Sequence, residues 1–169
     1  MQIAPVIVAA MPATARMFEL GRYIPYLVRR TSARVDEIIR PRLAAVGLTL
    51  EMWRVVITIY VHGPQSLGDL ARRTSVNLST LSRLVGAMER AKLVRRQRVV
   101  GNGRTVKIDL LPLGRKRCRG FLPFALALER QITRRFSAEE LRVLRELLGR
   151  LYAVVNDDAT RPVKAGRRA

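Results

Sequence analysis

The stretch Asn77–Leu93, NLSTLSRLVGAMERAKL, has two chemically opposite faces when wound at 3.6 residues per turn. Leu81, Leu84, Val85 and Met88 fall at the i, i+3, i+4, i+7 spacing of a core-facing stripe. Ser79, Arg83, Gly86 and Arg90 point the other way, with Thr80 and Ser82 at the margins, so the solvent side offers hydroxyls and guanidinium groups with little bulk. That surface suits a DNA groove. Immediately upstream, Ser66–Thr74 (SLGDLARRT) predicts a first short helix, opened by Ser66 with Asp69 three residues on in capping-box spacing. Only Ser75 and Val76 separate the two helices. So tight a turn predicts a helix-turn-helix, whose second helix presents its N-terminal residues to base edges in the major groove.

Downstream, Leu93–Val100 (LVRRQRVV) and Thr105–Leu111 (TVKIDLL) alternate roughly and are rich in β-branched residues. Between them, Gly101-Asn102-Gly103-Arg104 predicts a hairpin turn, because Asn and Gly accept positive φ at little cost. A helix-turn-helix followed by a basic hairpin is a winged helix, here with Arg104 at the wing tip. With these residues the chain resembles the MarR family of bacterial transcriptional regulators. The likeness runs from about Leu48 (LTLEMWRVVITIYVHGPQSLGDLARRTSVNLSTLSRLVGAMERAKLVRR) through the wing to Leu113-Gly114-Arg115, with looser helical similarity over most of the remainder. Two positions depart from the family pattern. Asn102 stands where an acidic residue usually precedes the wing arginine, and Leu111 stands where Thr usually enters the next helix. A lost cap of that kind costs about 0.5–2 kcal/mol and leaves the fold unchanged.

Charge points the same way. The 169 residues carry 32 Lys and Arg against 13 Asp and Glu, a formal +19, far beyond what solubility needs. From Pro64 to Arg119 there are 14 basic residues against three acidic ones (Asp69, Glu89, Asp109), so more than half of the excess lies in a third of the chain. A polyanionic partner is expected. With 49% hydrophobic residues the chain can bury one sizeable core. A single Cys118 and a single His62 supply neither a disulfide nor a Cys/His ligand set, so no metal or other cofactor is expected. Nor can a nucleophile, base and orienter be assembled, which speaks against an enzyme.

Taken in order, residues 1–15 predict an irregular N-terminal arm. Its apolar run is broken by Pro5 and Pro12 and lacks the basic start of a signal peptide, so neither export nor a membrane span is expected. Residues 16–47 predict a long first helix, with Pro25 kinking it or setting its start and Pro41 bending or ending it. Residues 48–111 form the winged helix-turn-helix, whose leading helix follows Thr49 and carries Trp53, Val56, Ile57 and Tyr60 inward. Residues 112–157 hold a helix with Phe121, Ala125, Leu128 and Ile132 on one face and Pro123 inside it. A second helix there is capped by Ser137 and Glu140, with the seam Leu141, Leu144, Leu148, Leu151, Val155. Residues 158–169 predict a basic, disordered tail.

The expected fold class is therefore mostly α: a winged helix-turn-helix with a two-stranded β wing and N- and C-terminal helices. The resemblance implies that these terminal helices interlock two subunits and that small aromatic ligands bind where they meet the DNA-binding lobe, near Tyr23, Tyr26, Trp53 and Tyr60. The expected partners are a pseudo-palindromic double-stranded DNA operator, a second copy of the chain and a small-molecule effector, in the cytoplasm. Ser79, Thr80, Ser82 and Arg83 are expected to read bases or adjacent phosphates, Arg104 to reach the minor groove, and Arg95, Arg96, Arg98 and Lys107 to supply sequence-independent attraction. Arg72 and Arg73 are expected at the DNA backbone. Competing readings are an architectural DNA coater without sequence preference, an RNA-binding module, and a redox regulator in which the basic neighbours of Cys118 activate its thiol.

Overall fold

The computed structural model describes residues 19–99 and 102–158, with side chains except those at 99, 102–105 and 158. The N-terminal arm and the tail beyond 158 lie outside the described residues. Among the described residues six helices and three strands follow in order: α1 (Ile24–Ala45), α2 (Leu50–His62), β1 (Gln65–Ser66), α3 (Leu67–Thr74), α4 (Leu78–Arg90), β2 (Val94–Val99), β3 (Asn102–Leu110), α5 (Pro112–Thr133) and α6 (Ala138–Asp158). They fall into two compact units, one up to Leu122 and one from Pro123, so α5 belongs to both. Among the described residues no single helix is long and apolar enough to cross a membrane.

Pro25 sets the start of α1, eight residues later than the Arg16 expected from sequence, because its fixed φ suits the first turn and its missing N–H costs nothing there. Pro41 does not end the helix, which runs four residues further. What ends it is a left-handed Gly47 (φ +70): Gly47 N–H bonds to the Ala44 carbonyl and Leu48 N–H to the Leu43 carbonyl, and the side chains of Leu43 and Leu48 are both buried. The same Schellman arrangement ends α4, with Lys92 (φ 56) in the glycine position and Met88 and Leu93 as the buried pair. Thr49 caps α2 as expected, accepting from Met52 N–H at 3.2 Å. The inward face of α2 is rotated from the expected one. Val55, Val56 and Ile59 are fully buried, while Trp53, Ile57 and Tyr60 are half-buried.

The wing has three strands rather than two, in the order β1-β3-β2 and antiparallel throughout. Ser66 pairs with Lys107 in the sheet and also caps α3, so one residue joins the helix-turn-helix to the wing. Asn102 pairs with Val99, which places Asn102, Gly103 and Arg104, expected in the turn, in β3, while residues 100–101 lie outside the described residues. Pairing Val94 with Leu110 and Arg96 with Ile108 puts three apolar side chains on the inner face, all at most 3% exposed. Each contributes about 1.5–3 kcal/mol of apolar burial, which fixes the register. The first turn of α5 closes on this core. Gly114 packs so tightly on the Leu93 carbonyl that an added Cβ would overlap the oxygen, and Leu111 N–H bonds to that same oxygen at 3.0 Å.

In the second unit, Ser137 and Glu140 form the expected reciprocal cap: Glu140 N–H donates to Ser137 Oγ at 3.1 Å, and Ser137 N–H to Glu140 Oε2 at 2.7 Å. Those bonds hold the Glu140 carboxyl below its ordinary range. Along α6, Leu144, Leu147, Leu148, Tyr152, Val154 and Val155 stand exposed on the single chain.

Candidate nucleic-acid interface

Asn77 starts α4 by accepting the Thr80 N–H at 2.8 Å, and it also receives the Ser79 hydroxyl at 2.9 Å. Leu81, Val85 and Met88 are fully buried and Leu84 half-buried, so the core stripe expected from sequence holds. The opposite face exposes Ser79, Thr80, Arg83 and Arg90, with Ser82 half-buried. Among the described residues Arg83 makes no ion pair. Leu78, which the sequence pattern did not single out, stands 54% exposed at the first position of the helix. An apolar side chain at that end suits a thymine methyl group.

The helix before it is fixed by local chemistry. Ser66 Oγ accepts the Asp69 N–H at 3.1 Å and donates to Asp69 Oδ2 at 2.6 Å, while Arg72 pairs with the same carboxylate. The Ser66 hydroxyl first, then Arg72 and Arg73, hold Asp69 below the ordinary carboxylate range. Ser75 ends α3 in the left-handed region (φ 56), which allows Asn77 to open the next helix two residues later. Arg73 Nη1 lies 3.5 Å from His62 Nε2.

The four wing cations lie on two faces. Antiparallel partners share a face, so Arg96 and Arg98 lie with Ile108 and Val106, while Arg95 and Lys107 lie on the opposite face. Two of the four are also engaged within the protein. Arg96 donates its backbone N–H and its guanidinium to Glu89, each at 3.0 Å, and Arg95 lies 3.6 Å from Asp109. Asp109 is 8% exposed and also receives Arg115 at 3.0 Å and its neighbour's Leu110 N–H at 2.7 Å. Arg98 and Lys107 remain exposed, and among the described residues neither makes an ion pair. Arg104 lies in β3 beside a register shift at Arg98/Val99, and its side chain is outside the description. On α5, Arg117 is likewise spent, reaching the Gly47 carbonyl at 2.5 Å.

Of the expected aromatic quartet, Tyr23 is 44% exposed just ahead of α1 and Tyr26 and Tyr60 are half-buried. Trp53 packs edge-on against Phe121 with ring centroids 4.6 Å apart, a core contact between α2 and α5. A pocket of about 400 Å³ lies elsewhere on α2, lined by Arg54, Ile57, Thr58, Arg73, Thr74 and Ser75. None of the four aromatics lines it. Cys118 is fully buried, and burial pushes its thiol up to about 11 despite the nearby Arg119 charge. A buried, protonated thiol lacks the thiolate that peroxide sensing requires.

Residues 48–106 match the MarR family model, and the matched segment spans α2, the helix-turn-helix and most of the wing. This segment is a MarR-family winged helix-turn-helix. MarR proteins are transcriptional regulators, not enzymes. A probable transcriptional regulator from Pseudomonas aeruginosa is 27% identical, covers 79% of this chain and 99% of its own, and superposes with a TM-score of 0.66. MepR of S. aureus, solved in a complex with DNA, is 22% identical over 79% of this chain and 98% of its own, with a TM-score of 0.71. BpsR of Bordetella bronchiseptica, whose DNA binding is regulated by 6-hydroxynicotinic acid, is 22% identical over 76% of this chain and 98% of its own, with a TM-score of 0.66. No curated protein gives a significant match to the chain.

Proposed function

We propose that this MarR-family protein binds a specific DNA operator as a homodimer and represses transcription, with a small anionic molecule altering its affinity. The observation that carries the reading is the exposed face of α4. Arg83 projects from it without an internal acidic partner among the described residues, beside the hydroxyls of Ser79 and Thr80. Arg83 contacts base edges, where a guanidinium can bond a guanine in bidentate fashion, while Thr80, Ser79 and Ser82 add single hydrogen bonds to bases or phosphates. Arg98 and Lys107 supply sequence-independent phosphate attraction from opposite faces of the wing, and Arg104 enters the flanking minor groove. Arg95 and Arg96 add a second role to that attraction. They brace the wing through Asp109 and Glu89 and contribute only the charge those pairs leave unneutralised.

The dimer reading rests on the exposed apolar row of α6. Left in water, Leu144, Leu148 and Val155 form a continuous liability, and a second copy is the partner that a symmetric assembly would supply. Two-fold symmetry makes the operator a near-palindrome with half-sites about one helical turn, ~34–36 Å, apart. MepR and BpsR, solved or studied as DNA-binding proteins, support the operator and effector parts by analogy of fold.

The experiment is retention of fragments from the organism's own genome by the purified protein, followed by footprinting of the fragments retained. A short list of near-palindromic footprints is expected, and uniform retention of all fragments would refute a sequence-specific regulator.

A further inference from the structure

Leu78 opens α4 with more than half of its side chain in water, 54% exposed at the first helical position. The fold does not use it there. Val76, just ahead of the Asn77 cap, is half-buried, and Leu81, four positions into the helix, is fully buried, so these two stand in the spacing of a hydrophobic staple. Leu78 lies outside that pair and outside the stripe of Leu81, Val85 and Met88. A lone exposed leucine is common on protein surfaces. What distinguishes this one is the chemistry beside it.

The neighbouring hydroxyl has given up its proton. Ser79 donates to Asn77 Oδ1 at 2.9 Å, and the same oxygen takes the Thr80 N–H at 2.8 Å. Toward a ligand, Ser79 Oγ therefore only accepts. By helical spacing Leu78 shares a row with Ser82, and Ser79 shares the adjoining row with Arg83. The first turn of α4 thus sets an apolar group next to a hydrogen-bond acceptor, at the end of the helix that meets base edges in a helix-turn-helix.

On the major-groove edges of the bases the apolar feature is the 5-methyl group, which thymine carries and cytosine lacks. A T·A pair offers that methyl together with the adenine N6 amino donor, which suits Leu78 and Ser79 at once. A C·G pair offers the cytosine N4 donor without a methyl, and methylation of cytosine at C5 restores the combination. We infer that Leu78 reads a pyrimidine 5-methyl group in each half-site and is a specificity-determining residue of the operator complex. The inference rests on the operator reading above and deepens it by naming the group on the DNA. It also makes operator affinity respond to cytosine methylation wherever a C·G pair occupies that position.

The test uses the full chain and the footprinted operator. Each thymine is replaced in turn, in both half-sites together, by deoxyuridine, which removes the methyl and keeps the pairing. At one position the parent should bind about tenfold more weakly, the scale of one buried methyl group per half-site. With a C·G pair placed there, methylation at C5 should strengthen binding by a similar factor. Leu78→Ala, expected at an unchanged Tm because the side chain is mostly in water, should bind thymine and uracil duplexes equally, and methylated and unmethylated cytosine duplexes equally. Leu78→Met, which keeps an apolar tip, should retain the discrimination. A parent indifferent to every uracil substitution overturns the inference without recourse to any variant. So does a methyl effect that survives at full size in Leu78→Ala, which would place it in the deformability of the DNA. Either result leaves operator recognition standing. A parent that prefers no duplex would instead refute the regulator itself, and this inference with it.

Discussion

The Glu89 carboxylate accepts two hydrogen bonds from Arg96, one from the backbone N–H and one from the guanidinium, each at 3.0 Å. Glu89 lies in the last turn of α4 and Arg96 in β2, so the pair ties the helix to the wing. Both side chains are partly exposed, so the ionic component is screened and worth little. Glu89→Ala should cost about 0.5–1.5 kcal/mol in urea unfolding and should reduce operator affinity although Glu89 repels DNA on its own. Glu89→Gln, which can keep the backbone bond, should fall between. An increase in operator affinity on removing this acidic group would show that Arg96 acts as a phosphate contact and not as a brace.

Gly114 admits no side chain, because the Leu93 carbonyl occupies the space. Gly114→Ala must move α5 away from the end of the recognition helix, and overpacking of this kind costs about 1–3 kcal/mol. Equilibrium unfolding measures it directly. A variant as stable as the parent would mean that α5 slides freely on Leu93.

Burial pushes the Cys118 thiol up to about 11 in the folded chain. Its ordinary value near 9.0 applies to the unfolded chain, so its contribution to stability is complete below about pH 9 and is lost as pH rises from there through 11. Substitution by Ala should remove that part of the alkaline destabilisation. At neutral pH the thiol should react with a disulfide reagent only on unfolding, and peroxide should leave operator affinity unchanged. Rapid labelling of the native protein would revive the redox reading.

Leu148 stands 48% exposed in the middle of the α6 row. Leu148→Arg should produce monomers or aggregates by analytical ultracentrifugation and should abolish operator binding, since one half-site retains only part of the contacts. A stable monomer with undiminished operator affinity would sink the dimer.

What the sequence revealed and what it hid divide along one physical line. The caps at Thr49, Ser66 and Ser137 and the stripe Leu81, Val85, Met88 depend on residues three or four apart, so spacing alone places them. The partners of Arg95 and Arg96 depend on strand register, which burial of Val94, Ile108 and Leu110 decides and which no local pattern prints. A signal was present nonetheless. Asp109 and Glu89 are two of the three acids in the basic region from Pro64 to Arg119, and an acid retained there invites a search for the cation it holds. β1 escaped notice because a two-residue strand has no periodicity and exists only where β3 offers an edge. Asn102, Gly103 and Arg104 lie in β3 and not in the expected turn because the Asn-Gly signal is local, whereas pairing of Asn102 with Val99 follows from the rest of the ladder. The Arg54 and Arg73 pocket has no motif either, since its two cations stand 19 positions apart on different helices.

The central claim is that the exposed face of α4 reads bases. Competition between the footprinted operator and a random duplex of equal length, at one fixed salt concentration, tests it for the parent and for Arg83→Ala. The parent should prefer the operator by ~10³ or more. Arg83→Ala should lose about 1–3 kcal/mol on the operator and little on the random duplex. Equal losses on both duplexes, or a parental preference near unity, would contradict base readout by this helix and leave a protein that merely coats DNA.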